Sequence, residues 1–276
     1  MSQQRIEQMQ SALEAAIAQH SAVVVGYSAG VDSSVVMAAA HRALGVRALA
    51  VTAATETITE EDLELAASIA REHGWRHTVI RYDELAIPGY AANPTDRCYH
   101  CKDALYTRLV AIAGGTGAVV LDGANLDDVG DYRPGRRAAR EQAVFSPLIE
   151  VGATKEDVRA LALLYGLPNH GKPAAPCLSS RVPYGTPITR ELLHQIDAAE
   201  RALRMLGFQT LRVRHHGDVA RLELPREEFA RALELSSRID EALREAGYRY
   251  VALDLRGFRS GALNEALPVQ ITLPLQ

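Results

Sequence analysis

Small polar and acidic residues lie close together between positions 28 and 34, and their chemistry suits the binding of a phosphate group. They are Ser28, Gly30, Asp32, Ser33 and Ser34. The valines at 23–25 predict a buried strand before this stretch, and the apolar run 35–40 predicts a helix behind it. The turn therefore precedes a helix N-terminus, where unpaired backbone N–H groups and the helix dipole favour an anion.

Asp32 is the one acidic residue in this stretch. Because a carboxylate is repelled by a bare phosphate, we expect Asp32 to face a metal ion, a water molecule or the loop backbone. The stretch lacks the Gly-x-x-x-x-Gly-Lys-Ser/Thr pattern, so the Walker phosphate loop does not fit. An ordinary strand-to-helix turn is the alternative, and the combined spacing of serine, glycine and aspartate disfavours it.

The composition bounds the class of protein. The chain has 276 residues, 47% of them hydrophobic, which is enough for a substantial core and one or two domains. A net charge of −4 does not indicate a protein that binds nucleic acid or a membrane surface as a whole. No apolar run approaches a membrane span, and the N-terminal segment lacks the features of a signal peptide. We therefore expect a cytoplasmic protein with no membrane partner.

Strand and helix patterns alternate along the first half of the chain. Further strands are predicted at 46–53, 77–82 and 118–123, with helices at 60–74 and 105–113. This alternation predicts an α/β fold with a parallel sheet, and ligands of such sheets collect at the carboxyl ends of the strands. The polar loop that starts at Asp122 falls on that edge, where it could hold a nucleotide and Mg²⁺. A solvated turn is the alternative for this loop.

A proline- and glycine-rich connector at 167–173 suggests a domain boundary nearby. After it we predict helices at 190–206 and 226–246 and strands at 210–215, 220–224 and 249–255. The sequence therefore predicts a first domain, residues 1–178, and a smaller α+β domain, residues 179–276.

The chain has 3 cysteines, a number that argues against a disulfide framework. Cys98 and Cys101 have the Cys-x-x-Cys spacing that lets two thiolates bind one metal or cluster, and Cys177 could join them. Other interpretations stay open at this point. Zinc could bind the three thiols with His100 or His170, Cys98 and Cys101 could form a redox pair, or Cys177 alone could be reactive.

The stretch 28–34 resembles the PP-loop of ATP pyrophosphatases, whose pattern is Ser-Gly-Gly-x-Asp-Ser, and we call these residues the PP-loop. Ala29 stands where the pattern has its first glycine, a mild departure provided that residue 29 does not need a positive φ. The whole chain further resembles the LarE family of ATP-dependent sulfur transferases. This resemblance rests on the motifs at 27–34, 96–102, 122–135, 176–186 and 211–218.

The resemblance implies a fold and a reaction. The fold is a PP-loop domain, like that of the adenine nucleotide α-hydrolases, with a smaller α+β domain. ATP adenylylates a carboxylate of pyridinium-3,5-biscarboxylic acid mononucleotide, and sulfur replaces AMP to leave a thiocarboxylate. This product is a precursor of the nickel-pincer nucleotide cofactor of lactate racemase. The PP-loop residues would hold the pyrophosphate and Mg²⁺, and Thr52, Ala53 and Gly123 would lie near the adenosine.

Two sulfur sources follow from the resemblance. In one, Cys177 attacks the acyl-adenylate and gives up its own sulfur. In the other, Cys98, Cys101 and Cys177 hold a 4Fe-4S cluster whose open iron carries the transferred sulfide. All three cysteines are present, so the cluster form is favoured, with a sulfur donor protein as a possible partner.

The resemblance also assigns residues of the second domain. Arg212 and Arg214 alternate on a strand and so face the same side, where they would grip the substrate phosphate with Ser180 and Arg181 as neighbours. A solvated strand face is the alternative for the two arginines. Glu200 and Glu223 are candidate Mg²⁺ ligands. Members of the family tend to form ring-like homo-oligomers, so we expect one here.

Competing functions are a PP-loop tRNA thiolase, an amidating synthetase and a non-catalytic metal or sulfur carrier. A thiolase would need a broad basic surface, which this slightly acidic chain lacks, although arginines cluster between 133 and 140. The cysteines argue against ammonia as the nucleophile of a synthetase. A carrier would bind its ligands without turnover, and only the departure at Ala29 favours it.

Overall fold

The computed structural model describes residues 3–130, 134–173, 176–259, 263 and 265. Contacts divide the chain into two compact units, which are Met1–Tyr90 with Asp96–Ala175 and Ala91–Thr95 with Pro176–Gln276. The predicted functional domains 1–178 and 179–276 stay a prediction, and they do not assign residues 91–95 to the second unit as the contacts do. None of the helices in the described residues has both the length and the apolar character of a membrane span.

The first unit contains a four-stranded parallel sheet. Its strands are β1 (Val23–Gly26), β2 (Ala48–Ala54), β3 (Arg76–Arg81) and β4 (Val119–Leu121), in the order β3-β2-β1-β4. β1 pairs with β2 on one side and with β4 on the other, and both pairings are parallel. The chain therefore reverses its direction of winding between β1 and β4. Such a switch point opens a crevice at the carboxyl ends of the strands.

The described residues of this unit include seven α-helices. They are α1 (Gln3–Ala18), α2 (Val31–Leu44), α3 (Glu60–Glu72), α4 (Arg97–Gly114), α5 (Gly135–Glu141), α6 (Pro147–Glu150) and α7 (Lys155–Leu164). Alternate residues of β1 face opposite sides of the sheet, as the strand period requires. Val23 and Val25 belong to a core with α1, α2 and α7, whereas Val24 belongs to a core with Leu109 of α4. The sheet is thus covered on both faces, which confirms the predicted α/β class.

The second unit contains a smaller mixed sheet. Its elements are α8 (Arg190–Met205), β5 (Arg212–His216), β6 (Val219–Glu223), α9 (Phe229–Glu234), α10 (Ser236–Glu245) and β7 (Tyr250–Leu253). β6 is central, antiparallel to β5 and parallel to β7. Leu203, Phe208, Val213 and Leu243 belong to the buried core of this unit. A second, smaller α+β unit is therefore present, as the sequence predicted.

Two helices differ from the sequence-based expectation. α4 was predicted to begin near Leu105, and it begins at Arg97 instead, so that the Cys-x-x-Cys pair lies within it. Cysteine, tyrosine and histidine are weak helix formers, and tertiary contacts outweigh their propensity, since Tyr99 packs against a buried core and its hydroxyl donates to Glu141 of α5 at 2.6 Å. The helix predicted over 226–246 is interrupted at Leu235, between α9 and α10.

Candidate active site

The PP-loop joins β1 to α2 at the switch point of the sheet. Ser33 Oγ donates a hydrogen bond to the Gly30 carbonyl at 3.1 Å and accepts one from the Ser28 N–H at 3.2 Å. These bonds close the turn on itself while leaving the Ser28 side chain exposed. α2 begins with Gly30 as its N-cap, so no side chain caps its first N–H groups. An anion can therefore take the place that a capping side chain usually fills.

The departure from glycine at Ala29 was expected to be mild only if this residue does not need a positive φ. Its φ is 54°, in the left-handed region that alanine adopts at a cost of about 1–2 kcal/mol. The proviso stated for the missing glycine is therefore not met, and the loop needs a positive φ at this position. The residue is fully buried, and its carbonyl accepts a hydrogen bond from Asn169 Nδ2 at 2.8 Å.

Asp32 lies in the first turn of α2, and side chains from two distant parts of the chain contact it. Its carboxylate accepts a hydrogen bond from Asn125 Nδ2 at 2.9 Å and forms an ion pair with the Lys155 ammonium. The expected contact of Asp32 with a metal ion, a water molecule or the loop backbone stays a prediction beside these two side-chain partners. The two partners come from the loop after β4 and from the first residue of α7.

Lys155 is the functional candidate that sequence reasoning missed, and a local signal for it existed. Thr154 and Asp157 form a capping box that starts α7 at Lys155. A cation at a helix N-terminus opposes the helix dipole, so a lysine at this position indicates a role other than helix stability. The Lys155 N–H also donates to Asp127 Oδ2 at 2.8 Å, which ties α7 to the loop after β4.

The loop after β4 is ordered by its own side chains. Asp122 accepts hydrogen bonds from the Tyr106 hydroxyl and from the Ala124 N–H, both at 3.1 Å. The Asn125 N–H donates to Asp128 Oδ2 at 3.1 Å, and Asn125 is buried. The loop thereby orients the Asn125 amide toward Asp32.

Gly123, which was predicted to lie near the adenosine, packs against the start of α2. This close approach can be tested by substitution. A Cβ at residue 123 would come within 2.8 Å of the Ser33 backbone nitrogen. Gly123→Ala should therefore lower the free energy of unfolding by about 1–3 kcal/mol and raise the KM for ATP, because the PP-loop must shift. Chemical denaturation and ATP kinetics measure both effects.

Gly114→Ala is the matched control for this variant, since nothing lies within 4 Å of a Cβ built at the end of α4. It should leave the free energy of unfolding unchanged or slightly raise it. If both substitutions left stability and the KM for ATP unchanged, the close approach of Gly123 to α2 would not matter.

Thr52 and Ala53 lie on β2 just beyond Val51, whose carbonyl accepts a hydrogen bond from the Tyr27 N–H at 2.9 Å. Both are thus at the carboxyl edge of the sheet, where the adenosine contact was predicted. The Thr52 hydroxyl is buried and lies 2.8 Å from His77 Nε2. Burial also lowers the pKa of His77, so this imidazole is neutral at pH 7. The adenosine contact itself stays a prediction.

The three cysteines lie in two different units. Cys98 is exposed and Cys101 half-buried in the first turns of α4, and Cys177 precedes a short 3₁₀ turn, Leu178–Arg181, of the second unit. Residues three apart on a helix share one face, so the first two thiols fit a common iron or zinc centre in donor type and spacing. Within the described residues, no three His, Cys, Asp or Glu side chains form a metal-binding group, with His100 and His170 included.

Arg181 is the most heavily bonded arginine of the second unit. It binds Glu200 through two hydrogen bonds, Nε to Oε1 at 2.8 Å and Nη2 to Oε2 at 2.9 Å. Its Nη1 donates to the Cys177 carbonyl at 3.3 Å, to Ser180 Oγ at 2.9 Å and to the Pro176 carbonyl. All three guanidinium nitrogens are therefore engaged within the chain. Arg181 thus holds the backbone of the Cys177 loop, and its predicted place beside the substrate phosphate stays a prediction.

Arg214 and Arg212 are both buried on β5. Arg214 donates to the Ser180 carbonyl at 2.6 Å and to Glu223 Oε2 at 3.0 Å, and its Nε is buried with no hydrogen-bond partner in the described part of the chain. Arg212 donates to the Arg259 carbonyl at 3.0 Å, and its guanidinium lies 4.4 Å from the Phe258 ring centroid. The solvated strand face considered for this pair does not occur.

Burial, with added repulsion from Arg214 and Arg181, lowers the pKa of Arg212 to about 10. The group therefore keeps its charge at neutral pH but lies in an environment that an anion would stabilise. The predicted contact of Arg212 and Arg214 with the substrate phosphate, with Ser180 and Arg181 as neighbours, stays a prediction.

Glu200 and Glu223 are fully buried, and arginines occupy their carboxylates. Glu200 contacts Arg181, Arg204 and the Val213 N–H, and Glu223 contacts Arg214 and Arg221. A Mg²⁺ ion would have to displace these donors. The structure thus gives both residues the role of ion-pair partners that fix arginine side chains, and their predicted role as Mg²⁺ ligands stays untested.

Comparison with known proteins agrees with this geometry. A family model described as NAD synthase matches residues 2–93. The chain is 43% identical over 248 residues to an uncharacterised protein of Synechocystis, covering 88% of this chain and 92% of that one. It is 27% identical over 241 residues to an uncharacterised protein of Methanocaldococcus jannaschii, covering 86% and 91%.

A third relative carries a descriptive name. The pyridinium-3,5-bisthiocarboxylic acid mononucleotide synthase of Lactiplantibacillus plantarum is 42% identical over 257 residues, which cover 92% of this chain and 93% of that protein. Similarity of this extent spans both units rather than the PP-loop alone. The chain therefore belongs to the LarE family of PP-loop enzymes, that of pyridinium-3,5-bisthiocarboxylic acid mononucleotide synthase.

Proposed function

We propose that this enzyme is an ATP-dependent sulfur transferase that acts on pyridinium-3,5-biscarboxylic acid mononucleotide. In the first step a ring carboxylate oxygen attacks the α-phosphorus of ATP, which forms an acyl-adenylate and releases pyrophosphate. In the second step a sulfur nucleophile attacks the acyl carbon and displaces AMP, which leaves a thiocarboxylate. One oxygen of the carboxylate thus leaves with AMP.

The start of α2 is the observation that carries this proposal. Its first N–H groups lack a capping side chain, and a lysine is held beside them by Asp32. Pyrophosphate bound there would receive hydrogen bonds from the backbone and from the Lys155 ammonium, which stabilise the charge that builds up as the α–β bond breaks. Asp32 is partly exposed, and its carboxylate offers the oxygen ligands that Mg²⁺ prefers.

The arginines of β5 provide a site for the phosphate of the mononucleotide. Arg212 has an electron-rich aromatic ring on one side, and the buried Nε of Arg214 has no partner within the described residues. A phosphate would supply the missing acceptor for Arg214, whose charge Glu223 already pairs, and would offset the buried positive charge of Arg212. Ser180 lies next to them through its carbonyl, which accepts from Arg214.

Arg212→Ala should weaken the binding of the pyridinium mononucleotide about 10- to 150-fold, because a charge-assisted hydrogen bond contributes about 1.5–3 kcal/mol. The affinity for ATP should change far less. Separate titrations with the two ligands measure this split. Arg244→Ala, which removes an exposed arginine paired with Asp240 on α10, is the control and should affect neither ligand. Equal weakening of both ligands would place Arg212 elsewhere in the mechanism.

The sulfur step depends on Cys177 and can follow one of two routes. Cys177 can attack the acyl-adenylate itself, which forms a thioester and releases AMP. Loss of the Cα proton with cleavage of the Cβ–S bond then releases the thiocarboxylate and leaves dehydroalanine at position 177. In the other route Cys177 would serve with Cys98 and Cys101 as a ligand of a 4Fe-4S cluster, which would supply an open iron for exogenous sulfide. The thiol pair of α4 fits the first two ligands in type and spacing. In both routes Arg181 holds the Cys177 backbone in place.

Cys98→Ala and Cys101→Ala separate the two routes. If the cluster is used, each variant purified without oxygen should lose its iron and acid-labile sulfide and should complete at most one sulfur transfer per chain. If either variant kept both its iron content and multiple turnover, the three-thiol assignment would be wrong. If wild-type protein contained no iron even after reconstitution, and Cys177 lost its sulfur in one turnover, the sacrificial route would hold.

Nucleotide products test the function as a whole. We expect AMP and pyrophosphate to form only when the pyridinium mononucleotide is present, and unmodified tRNA should not replace it. Products that required tRNA would favour the thiolase, and binding of ATP without any turnover would favour the carrier. A homo-oligomer, a sulfur donor protein, a cytoplasmic location and a role in lactate racemase maturation complete the proposal.

A further inference from the structure

Asn169 connects the segment after α7 to the PP-loop. It is buried, and its Nδ2 donates to the Ala29 carbonyl at 2.8 Å and to Ser34 Oγ at 2.9 Å. The segment that carries it is anchored on two sides. Lys172 Nζ lies 2.7 Å from Asp62 Oδ1 of α3, and Arg159 Nη1 of α7 donates to the His170 carbonyl at 3.1 Å. Asn169 therefore presents its amide from a fixed support.

Asn169 contacts Ala29, whose backbone conformation is unfavourable for alanine. Alanine at φ 54° persists only where its surroundings impose that conformation. The methyl group of Ala29 is fully buried, and on the polar side Asn169 binds the carbonyl of the same residue. A change of φ at Ala29 would swing this carbonyl and break its hydrogen bond. Asn169 thus opposes relaxation of the loop.

We propose that Asn169 is a positioning residue, which holds Ala29 in the left-handed conformation and so keeps the PP-loop in the form that binds ATP. This rests on the proposed role of the PP-loop in ATP binding. Without Asn169, Ala29 would relax in most free molecules, and ATP would bind only the remainder. The apparent affinity falls by the fraction of molecules that stay competent.

Substitution at position 29 makes this testable, because glycine adopts a positive φ without strain. In the natural chain, Asn169→Ala should weaken ATP binding about tenfold or more, which matches the cost of a left-handed alanine. In an Ala29→Gly background, the same substitution should weaken ATP binding about twofold or less. If Asn169 had a merely structural role, Asn169→Ala would weaken ATP binding equally in both backgrounds.

Trp75 offers a fluorescent probe for ATP binding that does not depend on the later steps of the reaction. It is the single tryptophan of the chain, and its ring packs edge-on against that of Tyr27, next to the PP-loop, at 5.6 Å between centroids. Titration of its fluorescence with ATP and Mg²⁺ gives the dissociation constant of each variant. Wild-type protein that failed to bind ATP, by fluorescence and by calorimetry, would overturn the proposed function and this inference together.

Two further variants test the hydrogen bond itself and provide a control. Asn169→Asp preserves the shape of the side chain but cannot donate to the Ala29 carbonyl, so it should weaken ATP binding at least as much as Asn169→Ala. Asn93→Ala removes another buried amide that donates to backbone carbonyls, those of Pro183 and Thr186 in the second unit. It should leave the ATP dissociation constant unchanged. An equal effect of Asn169→Ala in both backgrounds, or no effect of Asn169→Asp, would overturn the inference while leaving the proposed function intact.

Discussion

Lys155→Ala should slow ATP-dependent pyrophosphate release about 100- to 1,000-fold, the loss typical of removing one preorganised donor from a developing charge. Asp32 already holds the Lys155 ammonium at the start of α2. The ammonium therefore does not have to be ordered as the α–β bond breaks. Steady-state rates at saturating pyridinium mononucleotide measure this effect, and the loss should appear mainly in kcat.

Arg42→Ala is the matched control. This arginine also forms a partly exposed ion pair, with Glu14 of α1 and at the opposite end of α2 from the PP-loop, and such pairs contribute about 1 kcal/mol or less to stability. Its loss should leave the rate of pyrophosphate release close to that of the natural enzyme. If the two variants slowed the reaction equally, the assignment of Lys155 to the pyrophosphate site would be wrong.

Glu200→Ala should lower the free energy of unfolding by about 3–5 kcal/mol, the usual result of removing one partner of a buried ion pair. The Arg181 side chain is 6% exposed and that of Glu200 is fully buried, so the guanidinium would lose the carboxylate that offsets its burial. Urea denaturation measures the loss. Because Arg181 binds the Cys177 carbonyl, alkylation of Cys177 should also change its rate in this variant.

Glu241→Ala removes an exposed glutamate of α10 and serves as the control, with an expected change within about 0.5 kcal/mol. A loss below about 1 kcal/mol for Glu200→Ala would contradict the account of Glu200 as the partner that fixes Arg181. A large loss of stability with an unchanged rate of Cys177 alkylation would show that the ion pair stabilises the protein but does not hold the Cys177 loop.

The parts of this protein that could be predicted from sequence are those that local patterns determine. The valines of β1 and the small residues behind them indicated a strand, a turn and a helix, and the alternation of elements indicated the parallel sheet. The ends of β2, β3 and β4 lie within one or two residues of their predicted bounds. A buried parallel strand has a continuous apolar sequence, and this signal does not depend on distant partners.

Contacts between distant residues could not be predicted. Lys155 and Asp32 are 123 positions apart in the sequence, and Asn169 and Ala29 are 140 apart. Nothing in the local sequence around these residues indicates which partner each one contacts. The buried ion pair between Arg181 and Glu200 could not be predicted for the same reason. Alternation on β5 correctly placed Arg212 and Arg214 on one side, but it did not show that Glu223 already binds Arg214.

The origin of the oxygen in AMP tests the central claim most directly. Pyridinium-3,5-biscarboxylic acid mononucleotide labelled with a heavy oxygen isotope in its carboxylates is incubated with enzyme, ATP, Mg²⁺ and sulfide without oxygen gas. Mass spectrometry then follows AMP and the thiocarboxylate. Adenylylation predicts one labelled oxygen in each AMP, because the bridging oxygen leaves with the phosphate. Unlabelled AMP, or a thiocarboxylate formed without AMP, would contradict an acyl-adenylate and with it the proposed function.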